Sequence, residues 1–233
     1  SESTLANVSV FFNFKGVTSH AAAAPELGRS ALDAAELMSV GVNYLREHII
    51  SDARIHYAYR DVGGIAPNVV QGHSRVHYFI RAPKSWQVKE IYKRVVDVAE
   101  GAAKMTGTEM TYELYTGLSD YIPNHVLSEV LHETKEAGST DVGDASYVIP
   151  TAMCTTATAT LGTAAHTWQM TAHGNTEIAH KAMLNAGEAM ALTALKTMES
   201  PEILKKAHDE WMAETNGEYD CPIPKEVGPR LED

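Results

Sequence analysis

The chain has 233 residues, 44% apolar and 21% charged, enough for one large domain or two modest ones with their own cores. Its formal net charge is −11 and its isoelectric point lies near 5.4, which argues against nucleic acid or an anionic membrane as partner, because phosphate binding needs clustered Lys and Arg. With only Cys154 and Cys221, no CxxC arrangement and no run near the roughly 20 apolar residues of a membrane span, the composition predicts a reduced, cytoplasmic protein without a disulfide framework.

Residues 8–14 are rich in Val and Phe and read as a strand, ended by Gly16 and a small-residue loop over 18–28. Ala31, Ala34, Ala35, Met38, Val42 and Leu45 then recur at three and four residue intervals, as on one face of a helix. Residues 54–61 alternate Ile55, Tyr57 and Tyr59 against Arg54, His56 and Arg60, and 74–81 alternate again after the Gly63-Gly64 turn. These are two strands, expected to pair antiparallel. Val88, Ile91, Tyr92, Val95, Ala99, Ala102 and Met105 mark a second amphipathic helix, and 109–115 return to strand alternation. The order β-α-β-β-α-β is the ferredoxin-like plan: a four-stranded antiparallel sheet with two helices on one face.

Beyond Gly117 the texture changes. The pattern predicts a helix over 124–137, a turn over 139–144, a Thr- and Ala-rich strand over 154–161, and a long helix from about 176 to 198. Asn175 is the expected cap of that helix, and Ile178, Met183, Ala186, Met190 and Leu195 are its expected apolar face. Pro201 opens another helix, and 217–233, with Pro222, Pro224 and Pro229, reads as an extended tail on the surface or on a neighbour. The chain is thus expected to divide into 1–117, 118–216 and a tail over 217–233.

Several phrases are more specific than these patterns. They are Thr18-Ser19-His20-Ala21 with Gly28-Arg29-Ser30, Ala66-Pro67-Asn68-Val69-Val70, Ser139-Thr140-Asp141-Val142-Gly143-Asp144, His166-Thr167-Trp168-Gln169 and Cys221-Pro222-Ile223-Pro224-Lys225. Together they resemble the aminoacylase and glutamate carboxypeptidase family of metallopeptidases. That resemblance implies a catalytic α/β domain interrupted by a smaller lid that forms the dimer interface. The present chain then carries the lid and the C-terminal part of the catalytic domain, without the front half that bears most metal ligands. The link between Glu133 and Ser139 is also shorter than in the family pattern.

The implied activity is metal-dependent hydrolysis of an N-acyl amino acid amide, p-aminobenzoyl-glutamate being the nearest example. The implied cofactor is Zn or Mn, two ions in the complete protein. The implied assembly is a homodimer through the lid, or a hetero-oligomer with a related subunit. The alternative is a non-catalytic dimerisation fragment that lacks a complete metal site.

Residue by residue, the resemblance makes His166 the last metal ligand, although the same side chain read alone is a core or surface histidine. His20 matches a lid histidine that reaches toward the partner subunit's active site to steady an oxyanion. Asn68 and Arg81 match substrate-contacting positions, an amide for a carbonyl and a guanidinium fork for a carboxylate. Ser139 and Thr140 offer hydroxyls to the substrate on a polar turn. Asp141 and Asp144 fit helix caps, and His173 and His180 fit solvated or capping roles.

Overall fold

The computed structural model describes residues 4–131 and 140–228. Ser139 lies outside the described residues, as does the predicted helical stretch beyond Leu131. Backbone packing divides the chain into two units, one of 5–120 with 221–233 and the other of 1–4 with 121–220.

The first unit realises the predicted β-α-β-β-α-β order with β1 (Ala6–Lys15), α1 (Ala31–Leu45), β2 (Arg54–Asp61), β3 (His73–Ala82), α2 (Ser85–Thr106) and β4 (Glu109–Leu118). The strands form one antiparallel sheet in the order β2-β3-β1-β4, with Phe12 opposite Val76 on one side and Tyr112 on the other. Val8, Val10, Phe12 and Phe14 of β1 and Val76, Tyr78 and Ile80 of β3 point to the helices, the period of two that a half-covered sheet requires. All six predicted core positions of α1 are buried. In α2 the prediction fails at Met105, which is 69% exposed one residue before the helix ends.

Two polar devices hold this core in register. Ser39 on α1 donates to the carbonyl of Ala35 at 2.9 Å, and the phenols of Tyr59 and Tyr78 lie 3.0 and 3.3 Å from its oxygen. Burial, partly offset by that serine, raises the phenols of both tyrosines above their ordinary range. Asp120, fully buried just after β4, accepts from Ser85 N (2.9 Å), Ser85 Oγ (2.8 Å) and Lys84 Nζ (3.0 Å). A carboxylate distant in sequence thus satisfies the first turn of α2.

The tail returns to this unit. Pro222 packs so closely on Gly117 that a Cβ at Gly117 would lie 2.9 Å from the Pro222 Cβ, so only glycine fits beneath the proline. Pro222 and Pro224 wall a cavity of about 340 Å³ with Val88, Tyr92, Tyr112 and Leu114. Burial first, and then Tyr112, push the Tyr92 phenol up to about 12.

The second unit contains α3 (His125–Leu131), α4 (Val142–Val148), α5 (Trp168–His173), α6 (Glu177–Glu199) and α7 (Pro201–Thr215). Asn124 caps α3, accepting from Leu127 N at 3.0 Å and donating to the Ala207 carbonyl of α7 at 2.7 Å. Glu210 of α7 receives the amides of His125 and Val126 at 2.9 and 3.0 Å, so α3 and α7 are locked by a carboxylate on a helix start.

Three expectations are corrected here. Residues 154–161 are not a strand, since a strand needs a hydrogen-bonded neighbour and none of the described residues supplies one. The cap of α6 is Thr176, whose hydroxyl accepts from Ala179 N at 3.3 Å, and not Asn175. Finally, α6 buries Ala179 and Ala182 and leaves Ile178, Met183, Met190 and Leu195 more than half exposed, so the apolar face read from the sequence points outward.

Candidate functional site

The loops that follow β1 and precede β3 are stitched into one platform by backbone hydrogen bonds. Gly16 N donates to Gly72 O at 2.8 Å, Val17 and Arg29 exchange bonds of 2.8 and 2.9 Å, Ala31 N reaches Gln71 O at 2.8 Å, and Val70 N reaches Ser19 O at 2.9 Å. The crossing of these loops brings His20 beside Val69 as an isolated bridge and puts Ala21 N 2.9 Å from Asn68 O. His20 and Asn68, 48 residues apart in sequence, are therefore neighbours, and both are exposed.

The His20 ring is oriented by its own loop. Its Nδ1 accepts from the amides of Ala22 (3.2 Å) and Ala23 (3.1 Å). Two donors at Nδ1 leave the proton of the neutral ring on Nε2, where it is available to a group outside the loop. The run of small residues from Ala21 to Ala24 allows this, because the chain can curl back beneath the imidazole without steric cost.

Arg81 is not part of this platform. It lies eight residues along β3 from His73, so about 26 Å of strand separates it from the loops. It pairs across the sheet with Asn7 on one side and Arg54 on the other. A small substrate held by His20 of one chain cannot also touch Arg81 of that chain.

The sheet face turned away from the helices carries a cluster that sequence patterning missed. Phe11 stacks on His77 with centroids 4.1 Å apart and planes 22° apart, the Arg75 guanidinium lies 4.0 Å from the Phe11 ring, and Tyr115 meets Phe11 edge-on at 5.3 Å. Ser9 Oγ is 2.6 Å from His77 Nε2. Burial first, and then the charges of Arg60 and Arg75, hold His77 below the ordinary imidazole range. The alternation over 74–81 carried the signal, because its polar positions Arg75, His77 and Arg81 share that face with Phe79.

In the second unit, His166 is exposed on the loop before α5 with a left-handed φ of 57°. Among described residues other than glycine only Asn216 shares that region, and Asn216 ends a helix. A histidine held there has its direction set by the fold. A cavity of about 410 Å³ lies alongside, lined by Leu161, Gly162, Thr163, Ala164, Thr167 and Gln169. Thr140 Oγ1 accepts from Val142 N and lies 3.3 Å from an Asp141 oxygen, so that hydroxyl serves the start of α4. Asp141 stands at the cap position without a capping side-chain bond, and Asp144 accepts from the Tyr219 hydroxyl at 2.9 Å. His173 ties a loop, its Nε2 lying 3.2 Å from Thr160 Oγ1. Among the described residues no three His, Cys, Asp or Glu side chains converge as metal ligands.

Comparison with known proteins places these features. Residues 4–106 match the peptidase dimerisation domain family. The chain is 36% identical to a p-aminobenzoyl-glutamate hydrolase subunit of Escherichia coli, an alignment covering 97% of this chain and 61% of that one. It runs over 295 residues against 233 here, so the relative holds segments with no counterpart in this chain. Mouse Xaa-Arg dipeptidase is 30% identical over 87% of this chain and 50% of its own length. The chain thus spans between half and two thirds of these relatives. A crystal structure of an aminobenzoyl-glutamate utilization protein from Klebsiella pneumoniae shares the fold, with a TM-score of 0.52 over 61% of this chain and 42% of that one at 21% identity. Over residues 4–106 the chain is thus similar to a peptidase dimerisation domain, and along almost its whole length it is similar to the p-aminobenzoyl-glutamate hydrolase subunit of Escherichia coli.

Proposed function

We propose that this chain is the lid and the C-terminal catalytic portion of a metal-dependent amidohydrolase that cleaves N-acyl amino acids such as p-aminobenzoyl-glutamate. The observation that carries the reading is the His20 platform: an imidazole with Nδ1 tied to two backbone amides, Nε2–H directed outward and Asn68 at its side. Attack on an amide carbonyl moves negative charge onto its oxygen, and a fixed N–H donor stabilises that charge more than the neutral carbonyl. The Asn68 amide holds the substrate beside it. Arg81 serves a substrate carboxylate from a different protomer, as its distance along β3 requires.

The donors among the described residues do not make a Zn or Mn site on their own. His166 supplies one ligand, and the remainder comes from polypeptide beyond the described residues. Helix α6 supports this incompleteness, because it buries Ala179 and Ala182 on one side and exposes Met183, Leu184, Met190, Leu195 and Met198 on another. A helix with apolar stripes on two sides belongs between two layers. The test is p-aminobenzoyl-glutamate hydrolysis by this chain alone and by it joined to the portion that the relatives carry in addition. Turnover only in the joined protein supports the reading. Absence of turnover there, with metal bound, favours the non-catalytic dimerisation module instead.

The lid self-associates through the β2 edge and α1. β2 is an edge strand of the sheet, with no further strand beside it among the described residues. Beside it α1 exposes Leu37, Val40 and Tyr44, spaced three and four residues apart on one stripe. Val40→Glu with Tyr44→Glu is expected to weaken self-association by about tenfold or more, read by light scattering across a dilution series. An unchanged oligomer, or a complex that forms only with a different, companion polypeptide, would overturn this interface.

A further inference from the structure

The first unit holds an apolar cavity that the function proposed above does not use. Its volume is about 340 Å³, and every residue that lines it belongs to that unit. The start of β1, the end of β4, the first half of α2 and the tail meet around it. Val8 lines it and stands seven residues along β1 from Lys15, so about 23 Å of strand separates the cavity from the loops that carry His20 and Asn68.

The walls cannot close over this space. Pro222 and Pro224 have a fixed φ, and Val88 and Leu114 are anchored in α2 and β4. Apolar side chains around an open space forfeit packing contacts on their inner side, which an apolar guest restores. The aromatic character of the wall is pronounced: Phe12, Tyr112 and Tyr92 form a run of rings with centroids 6.1 and 6.3 Å apart, and the last two line the cavity. Tyr92 is half-buried, and its hydroxyl makes no hydrogen bond to any described residue. Burial keeps the proton on that phenol at neutral pH, so it is a donor without an acceptor. The nearby Ser85 hydroxyl already donates to Asp120 at 2.8 Å, and Lys89 is engaged as well.

We infer that this cavity binds a small neutral aromatic molecule with one hydrogen-bond acceptor, its ring against Tyr92 and Tyr112 and its acceptor on the Tyr92 hydroxyl. A dry apolar cavity of about 150 Å³ takes a benzene ring, so the space suffices for one ring and a short substituent. The ring gains edge and face contacts from two tyrosines, whereas a charged ligand would be desolvated against apolar walls. A saturated molecule of the same shape keeps the burial and loses the ring contacts. The ligand rests on Pro222 and Pro224, so its binding fastens the tail to the sheet.

The test titrates acetophenone and cyclohexyl methyl ketone, which share a carbonyl and differ in the ring, into the 233-residue chain and follows its methyl groups by NMR. Acetophenone is expected to bind about threefold to tenfold more tightly than the saturated ketone, with contacts from its ring protons to the methyls of Val88 and Leu114. Tyr92→Phe should weaken both ketones by about twofold to tenfold and leave their ratio unchanged, because each loses the same hydrogen bond. Pro224→Asp, at an exposed position, should remove binding of both by placing a carboxylate in the wall. Thermal melts establish that the variants are folded, and if Tyr92→Phe is not, Pro224→Asp and the ring contacts decide. Absence of saturable binding, equal affinity for the two ketones, ring contacts to other methyls, or indifference to either substitution would overturn the site. Such a failure leaves the hydrolase reading standing, because hydrolysis does not enter the readout.

Discussion

On the function proposed above, changing His20 to alanine in the complete, metal-loaded protein is expected to lower kcat by about 100- to 1000-fold with KM changed little, the cost of removing one preorganised oxyanion donor. The expectation follows from the ring's fixed direction. Two amides at Nδ1 hold the neutral tautomer that donates from Nε2, so the donor is set before substrate arrives. His20→Gln retains an N–H at the end of a longer and less constrained side chain, and it should recover part of the loss. A steady-state comparison of the parent, His20→Ala and His20→Gln checks this, and nitrogen NMR of the imidazole reports the tautomer directly. If His20→Ala raised KM alone, the side chain would hold ground-state substrate and would not stabilise the transition state.

The first unit was legible in the sequence because its elements are amphipathic in the ordinary way. Each strand alternates, and α1 repeats apolar residues at positions that all prove buried. Local pattern was enough there, since the partners of each element lie within the same stretch of about 110 residues. Patterning failed in the second unit for a physical reason. A strand exists only with a neighbour, so the Thr- and Ala-rich run at 154–161 has strand composition without strand structure. The misread face of α6 has the same origin: its large apolar residues and its small ones occupy different sides, and sequence alone assigns the core to the large ones.

For the site, residue types were readable and arrangement was not. His20 and Asn68 each stood out as members of a motif, yet their contact depends on two loops crossing at the end of the sheet. Arg81 was grouped with them by motif, and the β3 register puts it at the far end. The aromatic cluster on the open face was hidden because its residues alternate with core positions and come from three strands, so no contiguous phrase announces it.

Gly16→Ala is expected to be the most damaging single methyl group on the platform. A Cβ at Gly16 would stand 2.0 Å from the Arg29 carbonyl oxygen and 2.9 Å from Ala31 N, and both are backbone atoms. Neither can rotate aside, so the strand end or the opposing loop must move. Either movement strains the paired Val17 and Arg29 bonds and the Ala31 to Gln71 bond that close the loop carrying His20. Overpacking of this kind costs about 1–3 kcal/mol. The functional cost should be larger in proportion, because a shift of about 1 Å in a positioned catalytic group can reduce the rate about 100-fold. Gly101→Ala provides the control: it lies on an exposed part of α2 with nothing within 4 Å of the added methyl, and it should stabilise by about 0.5–1 kcal/mol. Thermal melting of both variants separates close approach from glycine flexibility. A Gly16→Ala protein that melted with the parent and retained full activity would show that the two loops are free to part, and that His20 is not held by the stitching between them.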